Sequence, residues 1–161
     1  MDSFNQPLSH RAQYALILLM LLAVTGCSMV SHWWRDTTAL KTVNIQASED
    51  VNDFSAVMVD LVFVRDKDLV AQLPDNAPEW FSRKPGLLFK YPKELSLRSL
   101  QVPPSFREQA IALPDNYRDA QRVLVYANYV NLQGQLPLEI TDYPVINLEL
   151  QKDRVVLTQP D

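Results

Sequence analysis

Glycine, histidine and cysteine are scarce in this chain of 161 residues, which contains three, two and one of them. A glycine-rich phosphate-binding loop is excluded, because only Gly86 and Gly134 follow the first 26 residues. A zinc site or a catalytic triad needs histidine or cysteine side chains positioned by the fold. Beyond residue 26 the chain has a single histidine, His32, so we expect no metal, no cofactor and no histidine-dependent catalysis.

Cys27, the single cysteine, follows an apolar run. Residues 12–23 are almost wholly apolar but too few to match the roughly 20 residues that span a bilayer. The three residues before the cysteine are a branched apolar residue and two small ones, Val24, Thr25 and Gly26. This order is typical of a bacterial lipoprotein signal peptide, here residues 1–26. It favours a lipidated thiol over a buried structural one.

The predicted lipid would fix the protein to a membrane. Acyl chains contribute about 0.8 kcal/mol per buried methylene, so several chains make a permanent anchor. Ser28, rather than an aspartate, follows Cys27 and favours the periplasmic face of the outer membrane. Residues 27–40 show no persistent period and are predicted to form a tether. Within it, Trp33 and Trp34 fit either the membrane interface or a contact with one end of the domain.

Length and charge limit the kinds of protein that the chain after residue 26 can be. Cleavage before Cys27 leaves 135 residues, a length typical of one domain. The removed segment holds one acid and one strong base, so the net charge stays at −4. A mildly acidic domain does not favour nucleic acid or direct adhesion to anionic lipid. The 11 prolines of the chain indicate stiff connections between strands.

Period-two alternation dominates residues 41–161 and predicts a mainly β domain. Thr42–Ala47 is apolar on one side, whereas Ala56–Arg65 and Arg122–Val130 are apolar on both, as in central strands. Further short strands are predicted at Glu94–Val102, Gln109–Leu113, Pro137–Thr141, Val145–Leu150 and Arg154–Thr158. Seven or eight strands with proline-rich turns predict a β-sandwich.

The period changes at about residues 66–90, where we expect a short helical insertion. Asp66 is suited to cap a first helix that Pro74 ends. A second helical piece, Pro78 to about Phe89, is expected to be interrupted near Pro85.

Two functional patterns remain in the predicted domain. Asp60 and Asp142 are candidates for a pair of catalytic carboxylates, although acids on strands more often face solvent or a partner, and we expect neither catalysis nor a small-molecule substrate. The loop Ser48–Ser55 joins two predicted strands and is acidic around an aromatic residue. Its predicted partner-binding residues are Glu49, Asp50, Val51, Asn52, Asp53 and Phe54. The alternative is an ordinary solvated loop.

These features together resemble the outer-membrane lipoproteins of type VI secretion systems, the TssJ, SciN or VasD family. The similar elements are the signal ending at Cys27, the strand Val57–Val64 leading into a helical segment with Trp80 and Phe81, Leu95–Pro104, the strand Val123–Tyr129 and the hairpin Val145–Leu157. The resemblance is one of order and spacing over nearly the whole domain.

The resemblance implies a transthyretin-like β-sandwich with a helical insertion and no enzymatic activity. It also implies a partner, the periplasmic domain of the IcmF-like inner-membrane protein TssM, contacted through the loop between the first two strands. Two other classes stay open at this point. One is a pilotin-like lipoprotein that assists another secretion or outer-membrane system, and the other is a lipid-anchored hydrolase using Asp60 and Asp142.

Replacing the lipidated residue tests the anchor directly. We expect Cys27→Ser to leave the domain folded but released from the outer membrane, because the thiol is the only attachment point for lipid in the chain. Membrane fractionation and incorporation of radiolabelled palmitate measure the two effects. A Cys27→Ser protein that stays in the outer membrane and keeps full function would contradict the prediction.

Overall fold

A computed structural model describes residues 37–131 and 136–160 of the chain. They contain the helix α1 (Ala77–Lys90), and their strands are β1 (Thr42–Ala47), β2 (Val57–Val64), β3 (Leu95–Val102), β4 (Gln109–Ala110), β5 (Arg122–Asn128), β6 (Leu138–Glu139), β7 (Val145–Leu150) and β8 (Val155–Thr158). The predicted mainly β fold with a helical insertion is confirmed. The predicted signal peptide and Cys27 lie outside the described residues. No helix within those residues is long and apolar enough to cross a membrane.

The strands form two sheets of four. The first sheet has the order β4-β1-β7-β8, with β1 and β7 parallel and the other neighbours antiparallel. The second has the order β3-β2-β5-β6 and is antiparallel throughout. The four central strands are β1, β7, β2 and β5. Three of them, β1, β2 and β5, are the strands whose apolar patterns are described above from the sequence.

The main core lies between the two sheets. Alternate residues of each central strand point inward and are fully buried, and examples are Val43, Ile45, Val59, Leu61, Phe63, Val125 and Leu148. The first sheet buries only this face, because the intervening residues of β1 and β7 are partly exposed. Burial of one face explains the regular alternation of Thr42–Ala47.

The second sheet is buried on both faces. Its outer face carries Val62, Val64, Leu124 and Tyr126, which pack with Trp80 and Leu87 of α1 into a second apolar cluster. The predicted helical insertion therefore covers the sheet that contains β2 and β5. This cover explains why those two strands are apolar on both sides.

A buried carboxylate fixes α1 on this face. Asp60 of β2 is fully buried, and its Oδ2 accepts hydrogen bonds from Trp80 Nε1 at 2.8 Å and Lys84 Nζ at 3.0 Å. The Oδ1 atom has no hydrogen-bond partner within the described residues. The two bonds to Oδ2 are therefore the contacts in the described residues that offset part of the lost hydration of this carboxylate.

An aromatic stack strengthens the same contact. The rings of Trp80 and Tyr126 lie 4.8 Å apart and are inclined by 13°. The Tyr126 hydroxyl donates to the carbonyl oxygen of Pro74 at 2.7 Å, which ties the sheet to the residues that precede α1. Burial, and secondarily the charge of Asp75, raises the pKa of Tyr126 to about 12.

The insertion is more regular than the sequence predicts. The first piece is a 3-10 helix, Lys67–Gln72, with the Asp66 side chain accepting from the N–H of Asp68. The expected interruption of the second piece is wrong, because α1 continues through Pro85. Pro85 lies on the exposed side, while Trp80 and Leu87 hold the buried side against the sheet. Packing thus outweighs the hydrogen bond that proline removes.

The folded domain also includes residues that the sequence assigns to the tether. The N–H groups of Thr38 and Ala39 donate to the carbonyl oxygens of Ala120 and Thr141, and Leu40 lies in the main core. Regular packing therefore begins before the predicted boundary at Lys41.

The ion pair beneath α1 gives a test of how the insertion is held. We expect Lys84→Met to lower the free energy of unfolding by about 2–3 kcal/mol, because it leaves the buried Asp60 charge with a single donor. Arg83→Met on the same helix is the matched control, since the Arg83–Glu79 pair is about half exposed and should contribute at most about 0.5 kcal/mol. Urea denaturation of the full chain, followed by circular dichroism, measures both. Equal losses would contradict the proposed role of Asp60.

Candidate functional site

The sandwich has two distinct ends. At one end, which we call the tether end, residues 37–41 lead into β1. At the other, which we call the loop end, the connections β1–β2, β3–β4, β5–β6 and β7–β8 come together, as the strand registers require. Because β1 runs from one end to the other over six residues, the ends are about 20 Å apart.

The predicted partner-binding loop, Ser48–Ser55, lies at the loop end and has an unusual backbone. Three consecutive residues have positive φ angles, Asn52 at 48°, Asp53 at 52° and Phe54 at 61°. None is glycine, although this left-handed region is unfavourable for residues with a side chain. The N–H of Ser55 closes the turn by donating to the carbonyl oxygens of Val51 and Asn52, at 3.1 and 3.2 Å.

Asn52 holds the turn in this conformation. Its Oδ1 accepts from the N–H of Val130 at 2.7 Å, and its Nδ2 donates to the carbonyl oxygen of Ala56 at 3.2 Å. Its own N–H donates to the carbonyl oxygen of Lys152 at 2.9 Å. One buried side chain and its backbone thus join the β1–β2, β5–β6 and β7–β8 connections.

Further bonds stiffen the same end. The Tyr129 hydroxyl donates to the carbonyl oxygen of Arg154 at 2.8 Å, and burial raises the Tyr129 pKa, so the donor is retained at neutral pH. The N–H of Ser105 in the β3–β4 connection donates to the carbonyl oxygen of Ser48 at 3.0 Å. All four connections are therefore linked by hydrogen bonds.

The loop end exposes apolar side chains beside charges. Phe54 is 69 % exposed at the tip of the left-handed turn, and Val130 of the linked connection is 76 % exposed. Asp53 lies 3.8 Å from Lys152 Nζ in a solvent-exposed pair. An exposed aromatic with a polar rim is the composition of a protein-binding surface.

The structure divides the six predicted partner-binding residues into two groups. Glu49, Asp53 and Phe54 are exposed, and Asp50 is partly exposed and accepts from Ser48 Oγ at 2.8 Å. Val51 and Asn52 are buried, so they support the loop from within. Contacts with a partner are therefore open to the first group only.

Two surface residues of the loop end were missed by sequence reasoning. Val130 and Lys152 join this surface through bonds to Asn52, which is 78 positions away from Val130 along the chain. No local pattern reports such a contact. The exposed apolar residue Val130, where the strong alternation of β5 ends, is the local sign for that position.

The two carboxylates considered for catalysis do not form a site together. Asp60 is buried beneath α1 and bound by Trp80 and Lys84, whereas Asp142 is exposed in the turn that precedes β7. Within residues 37–131 and 136–160, no group of three or more acidic, histidine or cysteine side chains is placed to hold a metal ion. The two acids therefore do not form the carboxylate pair considered from the sequence.

No protein-family model matches the chain, and no curated protein matches it in sequence. Similarity is found among solved structures. The type VI secretion lipoprotein TssJ1 of Pseudomonas aeruginosa matches with a TM-score of 0.55 and 11 % identity, over 74 % of this chain and 95 % of that one. Lip of Serratia marcescens, a membrane-bound component of the type VI secretion system, matches with a TM-score of 0.52 and 13 % identity, over 74 % and 96 %.

A chain of a type VI membrane complex matches as well, with a TM-score of 0.50 and 16 % identity, over 74 % of this chain and 99 % of that one. At these identities the match concerns the fold. Nearly the full length of each known chain is covered. The protein is therefore TssJ-like in fold, and the resemblance predicted from the order of its strands is confirmed at that level.

Proposed function

We propose that the protein is an outer-membrane lipoprotein of a type VI secretion membrane complex, anchored by lipid on Cys27 at the periplasmic face. Its role is to bind the periplasmic domain of an IcmF-like inner-membrane protein and so hold the complex to the outer membrane. The observation that supports this proposal most strongly is the TssJ-like fold over 74 % of the chain. The signal that ends at Cys27 supports the anchor.

The placement of the two ends supports the same role. The chain reaches the domain at the tether end, while Phe54 is exposed at the loop end. A module that links a membrane to a partner in the periplasm needs its attachment point and its contact surface far apart. About 20 Å of β1 separates them here.

The contact itself is proposed to centre on Phe54. Its ring is exposed, and the left-handed turn and the bonds of Asn52 hold its backbone. A side chain on a rigid turn loses little conformational freedom on binding, which improves affinity. Glu49 and Asp53 form the acidic rim, so the partner surface should present an apolar pocket with basic residues beside it.

Replacing the aromatic ring tests this contact. We expect Phe54→Ala to weaken capture of the IcmF-like periplasmic domain about 10- to 30-fold, the effect of removing an interface anchor. Phe89→Ala is the matched control, because Phe89 is even more exposed but lies on α1. Titration of the partner domain against the detergent-solubilised full chain gives both dissociation constants. Undiminished capture by Phe54→Ala, or an equal loss in the control, would reject the loop as the contact.

Substitution is preferable to deletion of the loop. Removing residues 50–54 would also take Val51 from the main core and Asn52 from its three connections. Loss of capture would then follow from disordered connections as readily as from a lost contact.

Asn52 gives a second test, of the rigidity of the loop. We expect Asn52→Ala to lower the free energy of unfolding by about 1–3 kcal/mol, because it leaves the N–H of Val130 without its acceptor. We also expect weaker capture of the partner domain, since the ring of Phe54 is then no longer held. Urea denaturation and the same titration measure the two losses. A stable variant with unchanged capture would show that the turn needs no support from Asn52.

A further inference from the structure

The C-terminal turn of α1 exposes an aromatic side chain that the sandwich does not use. Phe89 is 89 % exposed, the most exposed large apolar side chain in the described part of the chain. Lys90 and Lys93 beside it are also exposed, and Lys90 Nζ lies 4.8 Å from the ring centre of Tyr91. We call Phe89, Lys90 and Lys93 the α1 patch.

The α1 patch belongs to the tether end. Backbone hydrogen bonds cross this end from N–H to carbonyl oxygen, joining Thr38 to Ala120 (2.6 Å), Gln121 to Val64 (2.8 Å) and Arg65 to Glu94 (2.8 Å). The Arg65 guanidinium also donates to the carbonyl oxygen of Lys93. A continuous series of bonded residues therefore leads from the first residues of the domain to the patch.

We infer that the α1 patch rests on the lipid surface that holds the acyl chains of Cys27. This inference rests on the proposed lipid anchor. Nine residues, 28–36, separate Cys27 from Thr37, and even a fully extended segment between these two residues spans about 36 Å at most. Of the two ends of the domain, the tether end is the one joined directly to this segment, and it carries the α1 patch.

The chemistry of the patch suits a headgroup layer. Aromatic rings are favoured at the boundary between headgroups and acyl chains, and ammonium groups are attracted by anionic phosphates. The acids Asp66, Asp68 and Glu94 also lie towards this end, so the attraction is local to the patch. The domain as a whole is mildly acidic and would not adhere as a free protein.

Tethering to the membrane makes a weak attraction between the α1 patch and lipid sufficient for contact. A linked surface meets its target at an effective concentration in the millimolar range, at which a weak contact is populated. The consequence is an orientation: the α1 patch lies on the membrane, and Phe54 at the loop end points into the periplasm. The acyl chains of Cys27 then attach the protein to the membrane, and the contact of the α1 patch with lipid sets the orientation of the domain.

Spin labelling of the mature, lipidated full chain tests this orientation. Cys27 is the only cysteine and its thiol is acylated, so Phe89→Cys creates a single labelling site, and Phe54→Cys creates a matched site at the loop end. Each labelled protein is placed, without any partner, in vesicles of phosphatidylethanolamine and phosphatidylglycerol. Collision rates of the nitroxide with oxygen and with a nickel chelate then report its surroundings.

We expect the oxygen-to-nickel ratio at position 89 to exceed that at position 54 several-fold, because oxygen concentrates in lipid and the chelate is excluded from it. Replacing Lys90 and Lys93 by glutamine should reduce this difference. Equal ratios at the two positions would overturn the inference. Low collision rates with both reagents at position 89 would also overturn it, because a second copy of the chain or another protein would then cover the patch.

The outcome is separable from that of the proposed function. Protein that fails to float with the vesicles reports a missing lipid anchor, which is a failure of the proposed function. Partner capture through Phe54 is measured in detergent and is independent of the orientation on lipid. A floating protein with an aqueous label at position 89 rejects the α1 patch alone.

Discussion

The buried carboxylate of Asp60 determines where the helical insertion lies. A charge in the middle of a β-sheet is unfavourable unless it is bonded, and Trp80 and Lys84 are the only donors to it within the described residues. Since both donors belong to α1, the helix is bound to one position on the sheet. That position directs its last turn to the tether end and exposes Phe89 there.

The direction of β1 adds the second constraint. The strand begins at the tether end and delivers the chain to the loop end, where Asn52 joins three connections. The proposed attachment and the proposed contact surface are therefore separated by the length of a single strand. Within residues 37–131 and 136–160, the two exposed phenylalanines are Phe54 and Phe89, and they lie at opposite ends, which fits different surroundings for each ring.

The strands were predictable because their signal is local. Burial on one face gives the alternation of Thr42–Ala47, and burial on both faces gives the apolar runs of β2 and β5. The continuity of α1 through Pro85 was not predictable, because it depends on packing against the distant β2 and β5. The loop is predicted as a contact surface from its acidity and its aromatic residue, and that role stays a prediction. The structural role of Asn52 rests on bonds to Val130 and Lys152, which no local pattern contains.

The absence of glycine from residues 52–54 makes the loop stiff. A glycine at residues 52–54 would adopt positive φ without strain but would also leave the unbound loop flexible. Asn52, Asp53 and Phe54 adopt the same conformation at a cost of about 1–2 kcal/mol each, which the bonds of Asn52 and the burial of Val51 offset. The cost of this backbone conformation is part of the free energy of folding. Less conformational entropy is therefore lost when a partner binds. A stiff turn that displays an aromatic ring suits the link between two membranes that we propose for this protein.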